Sequence, residues 1–177
     1  MINIAITGHT SGIGKACAEM FSECKIFGYS RSNGWNLDEP YRIVQDIERN
    51  NCTVFINNAY LETYQSILLE QVNANWKHTN RTIINIGSYI TNYPRLEKDL
   101  DNEPWEYRND KQHLLNTFRK IAQSNTSCNV HIISPGPVDT PMISHLPIVK
   151  KLQAEQVANM VKHTIENPWL KEVIAYV

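Results

Sequence analysis

The stretch "ITGHTSGIGKACAEMF", Ile6 to Phe21, decides the fold. Three glycines, Gly8, Gly12 and Gly14, fall within seven residues, between the apolar run "INIAIT" and a helical pattern. Glycine is costly wherever its conformational freedom is not used. Here a strand ends, the chain turns tightly, and a helix begins with its amides facing the turn. Free N–H groups and the helix dipole together bind phosphate. Bare backbone lets a pyrophosphate come close. The alternative is a tight turn whose glycines serve packing alone. A P-loop is excluded, because no Lys-Ser/Thr pair stands at the required place.

Outward from this turn, strand and helix alternate. "INIAIT" is a β-branched apolar run, as expected of a strand buried on both faces. Gly12 to Ser22 reads as a helix with Ile13, Ala16, Cys17 and Met20 inward. "KIFGYS" is a second strand, and Pro40 opens a helix over "PYRIVQDIERN". "CTVFINNA" and "TIINIGS" are strands flanking a helix around Ser66–His78. A polar loop, Thr91–Pro104, leads to a helix from Tyr107 to Ser124. "NVHIISPG", a helix over "QAEQVANMVKHTIE" and a last strand "EVIAYV" complete the chain. Such alternation predicts a parallel sheet covered on both faces. With no repeat, low-complexity tract or linker, residues 1–177 read as a single domain.

Composition narrows the function classes. The 177 residues suffice for one real core, and 42% hydrophobic with 20% charged residues is ordinary for a soluble globular protein. A net charge of −1 implies no bulk attraction to nucleic acid or membrane. Cys17, Cys24, Cys52 and Cys128 form no CxxC pair and have no histidine at metal-ligand spacing. Reduced thiols in a cytoplasmic protein, and no metal site, are the expectation. No apolar stretch approaches the roughly 20 residues of a membrane span, and the N-terminus lacks the pattern of a signal peptide.

Further motifs follow in order. "TGHTSGIG" has the spacing Gly-x-x-x-Gly-x-Gly; "NNA" is Asn57–Ala59; Ser88 closes "INIGS"; "YRNDK" is Tyr107–Lys111; "PGPVDT" is Pro135–Thr140. Together, in this order, the set resembles the short-chain dehydrogenase/reductase family from Ile4 to Thr140, and more faintly to the end. The resemblance implies a three-layer, Rossmann-type doubly wound parallel α/β sheet of seven strands. It implies a single dinucleotide-binding catalytic domain that transfers hydride between a nicotinamide and a small carbonyl or alcohol. The alternative is a cofactor-binding protein on the same fold with little or no turnover, a redox sensor or partner-binding module.

Tyr107 and Lys111, four apart, share one face of a helix. A free tyrosine has a pKa near ~10, and a nearby ammonium is expected to lower it. An acid/base nearer neutrality that serves a carbonyl or alcohol oxygen contributes about 10²–10⁴ in rate. Ser88 ends a strand, where open parallel sheets place ligands, and its hydroxyl is placed to bond the same oxygen. By the resemblance, Lys111 also holds the nicotinamide ribose. A helix asparagine completes the proton relay; Asn73 is the candidate, with Asn75 the alternative.

The resemblance places the cofactor along Gly8, His9, Thr10, Ser11, Gly12, Ile13 and Gly14. It continues through Asn58, Ala59 and Tyr60, with Pro135, Gly136, Val138 and Thr140 at the nicotinamide end. Ser30 takes the place after the second strand where a carboxylate would hold a ribose 2′-hydroxyl, and Arg31 follows. Arg31 and Ser32 suit a 2′-phosphate, so NADP(H) is expected over NAD(H). Asn36 and Leu37 match the adenine contacts.

The chain departs from the family in four ways. Tyr60 stands where glycine is usual, and Asp110 precedes the lysine where a small residue is usual. The segment after "PGPVDT" is short, so the substrate lid is trimmed. The Ser88–Tyr107 interval is long, and residues 91–104 are either a substitute pocket wall or a surface loop. Leu114, Leu115 and Phe118 recur at helical spacing and suggest a homodimer or homotetramer, unless they face the sheet.

Overall fold

In the computed structural model, residues 2–92, 105–145, 147–148 and 150–176 are described. The expected wall or loop over 91–104 lies almost wholly outside them. The strands are β1 (Asn3–Thr7), β2 (Lys25–Tyr29), β3 (Val54–Asn57), β4 (Thr82–Ile86), β5 (Asn129–Pro135) and β6 (Glu172–Ala175). The helices are α1 (Gly12–Met20), α2 (Pro40–Arg49), α3 (Tyr64–Trp76), α4 (Trp105–Ala122) and α5 (Ala154–Glu166). Every strand pairs parallel, in the order β2-β1-β3-β4-β5-β6.

The alternating direction of strand side chains sorts the core into two layers. On one face Ala5, Phe55, Ile83, Val130 and Ile132 meet α2, α3 and α4 through Ile43, Ile47, Leu68, Leu69, Val72, Leu114 and Phe118. On the other, Ile4, Ile6, Ile56, Ile84 and Ile133 meet α1 and α5 through Ala16, Cys17, Val157, Ala158 and Val161. This is the expected doubly wound α/β sandwich.

Among the described residues the sheet has six strands, one fewer than the seven expected. A doubly wound sheet of order 3-2-1-4-5-6 carries a strand outside the second one. Here only ten residues separate Tyr29 from Pro40. A parallel crossover plus a strand needs a dozen or more. The chain therefore passes from β2 through one short turn into α2, and β2 becomes a sheet edge.

Leu114, Leu115 and Phe118 are 1%, 2% and 2% exposed, so the face read as a possible subunit contact is spent on the sheet. No described helix is long and apolar enough to cross a membrane.

Candidate active site

Strand order reverses between β1 and β3, which opens a crevice at the C-terminal ends of the strands. The glycine turn lies there. Gly8 has φ +70° and Gly12 φ +51°, a region that side chains resist. A Cβ on Gly14 would lie 2.2 Å from the Gly8 carbonyl oxygen. Ser11 caps α1 without a side-chain hydrogen bond, and the first turn carries no acidic residue. The amides that open α1 are thus left for an anion.

Neighbouring motifs lock onto this turn. The hydroxyl of buried Thr7 accepts from the backbone N–H of Asn58 (2.9 Å) and Ala59 (3.0 Å). The Asn58 amide donates back to the Thr7 carbonyl at 3.0 Å. Thr140 lies beside Gly12, 3.0 Å from where its Cβ would stand. Val138 bridges Leu152, and Asp139 N–H donates to the Leu152 carbonyl at 2.8 Å, so the shortened segment folds straight back toward α5. The ring of His9 packs on Gly28, where a Cβ would approach it to 2.3 Å.

A cleft of about 830 Å³ runs along the turn, lined by Gly8, Thr10, Ser11, Ser30, Arg31, Ser32, Asn36, Leu37, Ala59 and Tyr60. Ten of the expected cofactor residues thus share one wall. The guanidinium of exposed Arg31 has no hydrogen bond or ion pair among the described residues, and Ser30 and Ser32 share a 2.9 Å hydroxyl bond. Trp35 and Asn33 escaped the sequence reading. Trp35 lines the cleft, lies edge-on to Tyr29 and carries Arg42 4.4 Å above its ring. Asn33 accepts from Ser30 N–H (2.9 Å) and donates to the Gly28 carbonyl (2.8 Å), shaping the turn. With the glycine cradle and the free amides, these residues fit a dinucleotide, and the Arg31 guanidinium follows Ser30, which stands where a carboxylate would.

The second cluster joins β4, α3 and α4. Lys111 belongs to the inward stripe of Leu114, Leu115 and Phe118, so it is buried, 3% exposed. Its Nζ donates to Gln65 Oε1 (2.7 Å) and to the Ile86 carbonyl (2.9 Å). Gln65 Nε2 donates to the carbonyls of Asn57 (2.7 Å) and Ile86 (3.0 Å). Asn57 donates to Asn85 Oδ1 (3.0 Å), and Asn85 donates to the His131 carbonyl (3.0 Å). A buried polar chain therefore runs under the sheet's end and stiffens it. Burial pulls the Lys111 amine down to about 7, against the upward pull of Asp110.

Burial raises the Tyr107 phenol above its ordinary value, with the nearby Ser88 hydroxyl opposing. The expected lowering by Lys111 is absent, because the amine, 5.6 Å from the ring centroid, is itself driven toward neutrality.

The structure does not bring Asn73 to Lys111. Asn73 lies eight residues along α3 from Gln65, about 12 Å at 1.5 Å per residue, and accepts from Thr126 at 3.5 Å. Asn75 is exposed. Gln65, on the first turn of α3, holds the amine instead. Its signal was its place eight residues after Asn57, facing inward at the strand ends. The two departures also meet: the Tyr60 hydroxyl donates to Asp110 Oδ2 at 2.8 Å, and its ring lies edge-on to Tyr107 with centroids 4.8 Å apart.

No family model matches the chain, and no curated protein matches it. Solved structures do. A short-chain dehydrogenase from Burkholderia cenocepacia J2315 in complex with NADP has a TM-score of 0.82 at 17% identity, covering 99% of this chain and 88% of that one. A 4-hydroxyisoleucine dehydrogenase complexed with NADH has a TM-score of 0.79 at 17% identity, covering 99% and 96%. A small-chain dehydrogenase in complex with NADPH has a TM-score of 0.77 at 16% identity, covering 99% and 96%. The chain thus has a doubly wound dinucleotide-binding fold. More particularly, its fold is that of the short-chain dehydrogenases.

Proposed function

We propose that the protein is an NADP(H)-dependent oxidoreductase, one catalytic domain over residues 1–177, acting on a small carbonyl or alcohol. The observation that carries this reading is Tyr107, near the Ser88 hydroxyl, packed beside buried Lys111 and against Tyr60, which lines the glycine-bordered cleft. The dinucleotide, when bound, supplies or accepts the hydride. The glycine turn and the opening amides of α1 hold its pyrophosphate. Arg31, with Ser30 and Ser32, grips the 2′-phosphate. Ser88 orients the substrate oxygen, and Tyr107 passes it a proton. The raised phenol keeps that proton at neutral pH, which suits the reducing direction. Lys111 steadies the phenolate left behind.

Turnover of NADPH against a panel of aldehydes, ketones and quinones tests the activity. Tyr107→Phe is expected to abolish reduction while NADPH binding stays within about twofold; near-normal turnover would sink the assignment of the proton donor.

The burial of Lys111 under Tyr60 favours a second reading, a cofactor-binding protein with little or no turnover. NADPH binding without oxidation across the panel selects it. Free cysteines, three of them buried and pushed up to about 12, accord with a cytoplasmic setting.

A further inference from the structure

Tyr60 and Asp110 depart from the family pattern separately in the sequence, yet the fold joins them. Two acceptors take two positions on Lys111 Nζ from below, Gln65 Oε1 and the Ile86 carbonyl. Two aromatic rings flank it: the centroids of Tyr60 and Tyr107 each lie 5.6 Å from Nζ. The rings meet edge to face at 75°, which closes the gap between them. The outcome is a lysine only 3% exposed beside a cleft that would carry a ribose.

Tyr107 is carried one turn before Lys111 on the same helix, so its backbone is fixed relative to the lysine. Tyr60 stands on the short segment after β3, outside the helices, and also lines the cleft beside Ala59 and Leu61. It is the movable half of the cover. What holds it is its hydroxyl, bonded to the Asp110 carboxylate on α4.

We propose that Tyr60 is a gate over Lys111, latched shut by Asp110, and that the nicotinamide ribose must displace it to reach the lysine. The ribose clause rests on the dinucleotide reading above; the gate itself does not. Binding then costs the latch and the Tyr60–Tyr107 contact, so both residues govern cofactor affinity without touching the reacting atoms. A glycine at residue 60 would leave the lysine open.

The test measures acylation of Lys111 by an N-hydroxysuccinimide acetate in the free protein, by peptide mass spectrometry, with exposed Lys25 as the internal standard. Tyr60→Phe keeps the ring and cuts the latch; Asp110→Ala cuts it from the other side. Each is expected to raise Lys111 labelling roughly tenfold, as loss of a hydrogen bond to a charged group allows. The double variant is expected to exceed neither single one, because both remove one bond. That non-additivity separates a latch from general loosening of the fold, which would add. NADPH titration of the same variants is expected to show tighter binding by a similar factor. Unchanged labelling in both single variants, or additive labelling in the double, overturns the gate. Raised labelling with NADPH affinity unchanged overturns the displacement by ribose. Raised, non-additive labelling with no NADPH binding in any variant leaves the gate standing and removes the dinucleotide reading instead.

Discussion

At the scale of single residues, the proposed preference for NADP(H) turns on the charge of Arg31. Its guanidinium is exposed and without a partner among the described residues, at the rim of the cleft where a ribose would lie. A charge-assisted bond to a phosphate contributes roughly 1.5–3 kcal/mol, or one to two decades in affinity. Arg31→Ala is therefore expected to weaken NADPH by that order and leave NADH unchanged; equal binding of the two by the unmodified protein refutes the preference. Lys111 makes a different prediction, about pH. Its amine falls from 10.5 to about 7 on folding. Between those values the unfolded chain holds a proton that the folded chain lacks, so this residue's contribution to stability rises with pH, by at most about 1.4 kcal/mol per unit. Below about pH 7 both states are protonated and the contribution is flat at its least favourable. Urea denaturation of the wild type and Lys111→Met at pH 7 and pH 9 isolates it. The wild type is expected to gain on the variant at the higher pH, and a constant difference overturns the depressed amine. Tyr107, Lys111 and Ser88 were legible in the sequence because helical spacing and a strand end place them. Gln65 was not, because a glutamine on a helix carries no periodic signature until its strand-end neighbours are known.

At the scale of elements, β2 and the glycine turn constrain each other. Gly28 sits where a Cβ would strike the His9 ring at 2.3 Å, so a residue in mid-strand sets the course of the phosphate turn. Gly28→Ala is expected to push His9 out and weaken NADPH binding about tenfold or more, with the strand register kept by Ile6↔Gly28 pairing. Adding His9→Ala is expected to restore most of the loss. Isothermal titration of the single and double variants checks this, and failure of the second change to rescue the first overturns the coupling. The helices were legible to within two residues at most ends, because apolar stripes and Pro40 mark them. α4 reaches two residues earlier than the spacing predicted, to Trp105. The pairing of Asn33 with Gly28 was invisible, since only the folded turn brings a side chain five residues on back to a strand carbonyl.

At the scale of the whole molecule, the doubly wound sheet was readable because β-branched runs between helices leave few other arrangements. Six runs mark the six strands, and the expected seventh came from the resemblance rather than from any run of residues. Assembly stands apart from both. The homodimer or homotetramer was expected from Leu114, Leu115 and Phe118, which the sheet buries; we propose it instead through the exposed apolar residues around β6, where Trp169 is 71% and Ile174 49% exposed. Sedimentation at micromolar concentration is expected to show more than one subunit; a monomer refutes it. The opposite edge of the sheet has another meaning. With no strand beyond it among the described residues, β2 presents backbone groups that would template a strand from a stray or half-folded copy. Asn33 occupies the Gly28 carbonyl there, and Lys25 sets a charge at the start of the edge. The turn that shapes one end of the cleft thus also stoppers the sheet, and guards the protein against growing into an aggregate of itself.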